Sequence, residues 1–512
     1  MYKKICQTGY SILIFLLFVF CTLSVQASED LPTPNKVLSF DSTEDWNTSG
    51  GGEFTTVCPI AEGSGAMLIT GNGNRNSQPK AKKTLNGSID TADLGVIAFA
   101  IKKNLPRVTT NVTLRFGQGS SYSKVNYNVN VANLSSTRPL GTYWIAYDSS
   151  EDSSLSAYDS INSVLVSSPS ASAPYFIDNT IDALYTNAKG QATIVIGFDD
   201  AEDTIETIAY PYMLQYSMLG TVYLPTQIIG TTDSLTWDQV TTLYNAGWAI
   251  SIDGSPDDTS MIEADSLSDA VENATSQWED LEEHSVNSDA MYHMCYPNGA
   301  YFNPKLKPIQ VSGMTSDGTN TVVFDKAYDI QNGMRVYGVN VPENTYVINN
   351  GGDDVYSVKL SSTIPTQTVP VMFNDETEDF YLGSLPAALA KAGMKSGRIT
   401  GGGGMYTRFG FGDREMTTPG QGVSYMTYNQ FKKLIDQVVL RGTTMEVYFH
   451  RIVDDPDDGW TTDTPNPGIN VYESFFKAFI DDINSRASDN ELVVLTKPEW
   501  YERDIDATVP SD

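Results

Sequence analysis

Two carboxylates, Asp199 and Asp200, close the largely apolar run 192–198, and an imidazole, His450, closes a second such run at 445–449. Unbroken runs of this length, bounded by polar residues, read as strands buried on both faces. Carboxylates and an imidazole at the ends of such strands have the chemistry of a general base, a general acid or cation ligands. Taken alone, the Asp pair reads equally well as an exposed acidic turn. The polar run 451–458 follows His450 and places it at a loop mouth rather than in a core. His293 lies inside the run 291–296 and reads as structural. His284 ends a predicted helix, where an imidazolium complements the helix dipole.

From Gln191 onward, short apolar runs alternate with amphipathic stretches, the pattern of parallel β/α architecture. Strands are predicted at 192–198, 221–224, 248–252, 291–296, 395–400, 445–450 and 492–496. Helices are predicted at 204–217, 236–245, 267–284, 385–392, 429–441 and 472–484. Strand ends are where barrels of this kind place catalysis, which favours a functional reading of the Asp pair. The period returns to two across 307–382, a small all-β domain inserted at the loop-bearing face. Residues 28–188 read as many short strands separated by turn residues, an all-β jelly-roll sandwich. The expected fold is therefore multidomain: a sandwich, then a distorted β/α barrel over 189–306 and 383–512, interrupted by the inserted β domain.

Four segments in order, Phe198 to Ala201, Gly247 to Asp258, Cys295 to Gly299 and Val447 to His450, resemble the successive motifs of the polysaccharide deacetylase family, the NodB-homology domain. The resemblance implies Asp199 as general base, Asp200 as a metal ligand, Tyr296 as an oxyanion contact and His450 as general acid. It also implies that Arg398, which closes the strand 395–400, steadies Asp199; a solvated strand-end charge is the other reading of that residue. Where the family has its metal-binding histidine pair, this sequence aligns Asp253 and Asp257, with Asp258 adjacent. After residue 27 the chain has only His284, His293 and His450, so no other pair at that spacing replaces them. An all-carboxylate set suits oxygen-ligated magnesium, manganese or calcium, whereas imidazole suits zinc; the identity of the ion stays open among these, zinc included. A divalent ion held by Asp200, Asp253 and Asp257, and a degenerate site with no ion, both stay open. The implied activity is removal of N- or O-acetyl groups from a polysaccharide. A glycan-binding or adhesion protein that reuses the barrel groove, and a two-carboxylate glycoside hydrolase, are the alternatives.

Composition sets the wider bounds. Lys3 and Lys4 precede an apolar core and the small residues before Ser28, a secretory signal over residues 1–27. No later segment is apolar enough to span a membrane, so the expected location is secreted, periplasmic or cell-surface. An uncleaved anchor is the other reading of that segment. The net charge of −31 becomes −33 once two Lys and no acid are removed with residues 1–27, a balance that disfavours nucleic acid. Of four cysteines only Cys58 and Cys295 remain, in different predicted domains, which excludes a disulfide framework or a cysteine-rich zinc site. The glycines 401–404 lack the context of a phosphate loop and read as a mobile groove edge. In the sandwich, Trp46, Tyr122, Tyr127, Tyr143 and Trp144 include candidates for sugar stacking, but strand alternation sends about half of such residues inward. Asp178 sits in a segment resembling the closing strand of carbohydrate-binding jelly rolls.

Overall fold

The computed structural model describes residues 31–71, 78–105, 112–118, 129–130, 141–151, 159–168, 178–352, 355–401, 403–410 and 415–505. The signal segment, Tyr122 and Tyr127 lie outside them. Among the described residues no helix is long and apolar enough to cross a membrane.

The first part is a sandwich of two antiparallel sheets. One contains Asn35–Leu38, Gly52–Val57, Ala66–Gly71, Val96–Lys103, Gly141–Asp148 and Asp178–Thr186; the other contains Asn47–Ser49, Lys80–Asp90, Thr113–Gly117, Val129–Asn130 and Ser160–Ser167. Alternate residues such as Ile97, Phe99 and Ile101 on one sheet and Val164 and Val166 on the other meet in the core, as a half-buried strand requires. Trp46 and Tyr143 are part of that core, with Trp46 stacked on Phe40 at 5.2 Å between ring centroids. Burial raises the Asp178 carboxyl to about 6, against a hydrogen bond from the Asn104 amide.

Seven parallel strands close a barrel. In ring order they are Thr193–Phe198, Thr221–Leu224, Ala249–Asp253, His293–Cys295, Ser396–Thr400, Thr418–Gly422 and Thr444–Phe449. An eighth, Val493–Leu495, pairs with the first half of Thr193–Phe198. Ile194, Ile196 and Phe198 face the surrounding helices, so Val195, Gly197 and Asp199 belong to the opposite, luminal side. The helices start at well-formed caps: Thr236 and Gln239, Thr427 and Gln430, and Thr496 and Glu499 each form a reciprocal capping box. The helix expected over 204–217 is instead a π turn, Ile205–Ala209, running into Tyr210–Leu214. Pro211 lacks the N–H that a regular ladder needs there.

The strand Thr418–Gly422 was hidden in a Thr-Pro-Gly sequence, and the packing explains its composition. A Cβ at Gly420 would lie 2.8 Å from Arg398 Cδ, and one at Gly422 would lie 2.7 Å from the Tyr448 hydroxyl. Small residues here leave the lumen to two large polar side chains. The glycines expected to form a mobile groove edge do not simply line the mouth: Gly404 packs against Thr443, and Met405 exchanges backbone hydrogen bonds with Thr444.

Residues Ile309–Ser316, Thr321–Tyr328, Arg335–Gly338, Val347–Asn349, Val355–Leu360 and Gln367–Asn374 form a separate antiparallel sheet around Met314, Val336, Val358 and Phe373. This insertion leaves the barrel after the strand His293–Cys295 and returns before the helix Ser384–Ala392. Its Met372 and Tyr337 pack on Leu105 of the sandwich.

The sandwich docks on the end of the barrel where strands begin. Trp144 and Tyr185 pack on Phe409 at 4.8 and 4.5 Å, the Tyr406 hydroxyl donates to Ala188 O, and Arg441 makes a two-pronged ion pair with Glu151 at 2.7 Å. Trp144 is therefore an interdomain contact and not a sugar platform. Replacing it with Ala should remove about 3 kcal/mol from the docked state. Scanning calorimetry is expected to show the sandwich melting ahead of the barrel in Trp144→Ala; a trace identical to the parent would show that this contact carries no docking energy.

Candidate functional site

The site forms at the opposite end, where strands finish. The last ladder bond of the first strand, from Asp199 N to Phe449 O, fixes Asp199 beside the strand that leads into His450. The next two residues, Asp200 and Ala201, are both left-handed, with φ of 62° and 50°. Asp tolerates that region and Ala does not readily, so the turn stores strain of order 1 kcal/mol at this spot. The result is that adjacent carboxylates share one mouth. His450 Nε2 lies 4.0 Å from Asp199 Oδ2 and 3.7 Å from Asp200 Oδ2, its ring set against Tyr448.

Asp199 is 6% exposed, and its Oδ2 accepts from Arg398 Nη2 at 2.6 Å, while its Oδ1 has no hydrogen-bond partner. Arg398 is thus not a solvated charge. It is sandwiched between Tyr448 and Tyr223 at 4.1 and 5.1 Å from their centroids, and its Nε lies 3.7 Å from Glu446 Oε1. Glu446 in turn accepts from Lys497 Nζ at 2.6 Å and from the Tyr223 hydroxyl, and Lys497 also donates to Thr418. Asp199, Arg398, Glu446 and Lys497 form a buried file of alternating charge down the lumen. Burial lowers the Lys497 ammonium and the Glu446 carboxylate opposes that shift.

Asp200, Asp253 and Asp258 each offer a carboxylate oxygen, and the three oxygens lie within 4.8 Å of one another. Asp257, expected third, is elsewhere. It is exposed and held by Ser255 Oγ, Thr259 N and Thr259 Oγ1, bonds that hold its carboxyl below the ordinary value. Asp258 is left-handed, φ 60°, and that reversal brings the later of two adjacent acids into the cluster. Tyr296 is also not placed as an oxyanion donor: its amide bonds to Arg398 O, and its buried hydroxyl donates to Met416 O. His293 is buried, bonded to Ser396 Oγ at 2.7 Å, and burial lowers its imidazole well below the ordinary value. His284 stacks on Trp237 and caps its helix.

Sequence reasoning missed the donors beneath this cluster. Asp253 accepts from Ser255 N and from the thiol of Cys295 at 3.1 Å each, and Gln277 donates to its carbonyl. The missed signal for Glu446 was an acid alone within a buried run; Lys497 carried none, since it opens a terminal helix.

The cluster is electrostatically loaded. Burial, then Asp199, Asp258 and Glu202, raises the Asp200 carboxyl to about 8. Burial pushes Asp253 well up and raises Asp258. Three converging oxygens with this mutual repulsion fit a hard, oxygen-ligated divalent cation. The hydrogen bonds to Asp253 leave lone pairs for such an ion, whereas no ring nitrogen belongs to the trio.

A closed parallel barrel bearing carboxylates, a guanidinium and an imidazole at its strand ends, joined to a β-sandwich, is the class that fold and site define. No protein-family model matches the chain, and no curated protein sequence matches it. Among solved structures it is similar to the Streptococcus pyogenes deacetylase PplD in complex with acetate, at 20% identity over 21% of this chain and 47% of that one, TM-score 0.20. The chain thus spans about half the length of that deacetylase. It is also similar to the CBM22-1 xylan-binding domain of Paenibacillus barcinonensis Xyn10C, at 15% identity over 30% of this chain and 94% of that one, TM-score 0.20. The family 11 carbohydrate-binding module of Clostridium thermocellum, in complex with a mixed-linked tetrasaccharide, matches at 13% identity over 30% and 94%, TM-score 0.20. Likeness at this level carries no assignment of activity.

Two outcomes follow from the electrostatics. Lys497→Met strands Glu446 in the lumen and should cost about 3–5 kcal/mol in urea unfolding; a loss below 1 kcal/mol would mean the pair is not coupled. In the ion-free protein, the raised Asp200 carboxyl binds a proton that the unfolded chain releases near 3.8, so its stabilisation is full at low pH and disappears as pH rises toward about 8. A divalent cation needs the ionised form, so manganese should raise Tm more at pH 8.5 than at pH 6. Equal shifts at both pH values would contradict cation binding by this trio.

Proposed function

We propose that the chain is an exported hydrolase that removes acetyl groups from a carbohydrate polymer. The observation that carries this reading is the disposition of Asp199. It is held through one oxygen by Arg398, its other oxygen is unpartnered, and it stands beside His450 and the Asp200, Asp253 and Asp258 trio. The order of the four sequence motifs supports the same reading.

In this account Arg398 fixes the orientation of Asp199 and balances its charge, so that Oδ1 is the free lone-pair site that takes the proton of an attacking water. His450, on the neighbouring strand end, delivers a proton to the departing amine or alkoxide. The tyrosines that flank Arg398 exclude water from below and strengthen its hold on Asp199. A divalent cation held by Asp200, Asp253 and Asp258 would polarise the acetyl carbonyl and acidify the water. Three carboxylate charges around such a cation weaken it as a Lewis acid, so slow turnover is expected.

A second reading, a glycan-binding protein without turnover, is favoured by one feature. Asp253 is fully buried, both its oxygens already accept hydrogen bonds, and burial favours its neutral form, which is a poor ligand. The two readings separate in one experiment on acetylated chitin oligomers and acetylated xylan with magnesium, manganese or calcium. Acetate release should fall roughly a hundred- to ten-thousand-fold in Asp199→Asn. Asp258→Asn should abolish the cation dependence and Asp257→Asn should leave it intact. Polymer retention with no acetate released, unaffected by chelator, would replace the hydrolase with the binding protein.

A further inference from the structure

Among the described residues Tyr425 is the most exposed of the large apolar side chains at the barrel mouth, at 75%, and Ile469, which follows the Gly468 bonded to Tyr425, is 55% exposed. Each sits on a loop at the strand-end face: Tyr425 between the strand Thr418–Gly422 and the helix Tyr428–Arg441, and Ile469 on the segment that follows His450. The two loops are fastened together. Tyr425 N donates to Gly468 O at 3.2 Å, the buried Asn466 sends its amide to Val423 O and its N–H to Met426 O, and the Tyr425 hydroxyl lies over Gly468. Tyr425 is also left-handed, φ 55°. A bulky residue held in that region is a costly choice for a side chain that is mostly exposed, and strain of this kind concentrates at functional positions.

We infer that Tyr425 and Ile469 form a stacking platform for one pyranose ring of the polymer, a binding subsite beside the carboxylate site. This rests on reading the mouth as a glycan site. One ring and one branched side chain match the apolar face of a single sugar, whereas a protein interface needs about 800 Å² on each partner. The same loop carries Asp454, Asp455, Asp457, Asp458 and Asp463, so the sugar is neutral or cationic and not a uronate. A Cβ on Gly422, where the Tyr425 loop begins, would meet the Tyr448 hydroxyl, and Tyr448 flanks both Arg398 and His450. The loop that carries Tyr425 therefore starts beside a side chain of the carboxylate site.

Strain makes the test discriminating. Tyr425→Gly removes the ring and relieves the left-handed backbone, so its Tm should equal or exceed that of the parent. Its affinity for chitohexaose or xylohexaose, measured by calorimetric titration, should fall roughly five- to tenfold, while Tyr425→Phe keeps affinity within about twofold. Ile469→Ser should weaken binding less than Tyr425→Gly. Unchanged affinity in Tyr425→Gly, a lowered Tm without loss of affinity, or a parent protein that binds neither hexasaccharide would overturn the platform. Absence of acetate release sinks the hydrolase reading and leaves this binding result standing.

Discussion

A guanidinium buried inside a barrel has to be matched by charge, and the rest of this site follows from how Arg398 is matched. Asp199 holds it from the mouth side and Glu446 faces it from below, with Lys497 compensating Glu446. Isolated, any of these groups would carry a desolvation penalty of several kcal/mol. In file they cancel, and the consequence reaches the surface: Asp199 is fixed, charge-balanced and left with one free oxygen. Gly420 is small because Arg398 needs the space, and Gly422 is small because Tyr448, which covers the guanidinium, needs it too.

The trio above this file works by the opposite logic. Asp200, Asp253 and Asp258 converge with no cationic side chain in the trio, and their carboxyls are driven up by burial first, with the neighbouring Asp199 adding to the rise of each. A site of this kind either holds protons or holds a cation, and which of the two prevails depends on pH and on the ion at hand. The all-oxygen donor set sets the chemistry of that ion apart from a histidine-ligated zinc.

Much of the barrel was legible because its strands are buried on both faces and write continuous apolar runs; 192–198 and 445–449 are the plainest, and the residues at their ends, Asp199, Asp200 and His450, were legible with them. The strand Thr418–Gly422 was not, since its composition answers to neighbouring side chains and not to strand propensity. The choice between Asp257 and Asp258 was equally hidden: a single left-handed residue decides it, and adjacent identical acids give no sequence signal for which one turns inward. In the sandwich, alternation gives the core but not which outward aromatic faces another domain, so only the packing of Phe409 against it distinguishes Trp144 from a binding residue.

We propose that Asp200, Asp253 and Asp258 together hold a divalent cation in front of the Asp199 and Arg398 pair. Anomalous diffraction from crystals soaked in manganese tests it directly. One strong peak is expected in contact with all three carboxylates, with Asp257 outside it. Manganese bound elsewhere with no peak at the trio, or side chains splayed apart around water, would contradict it.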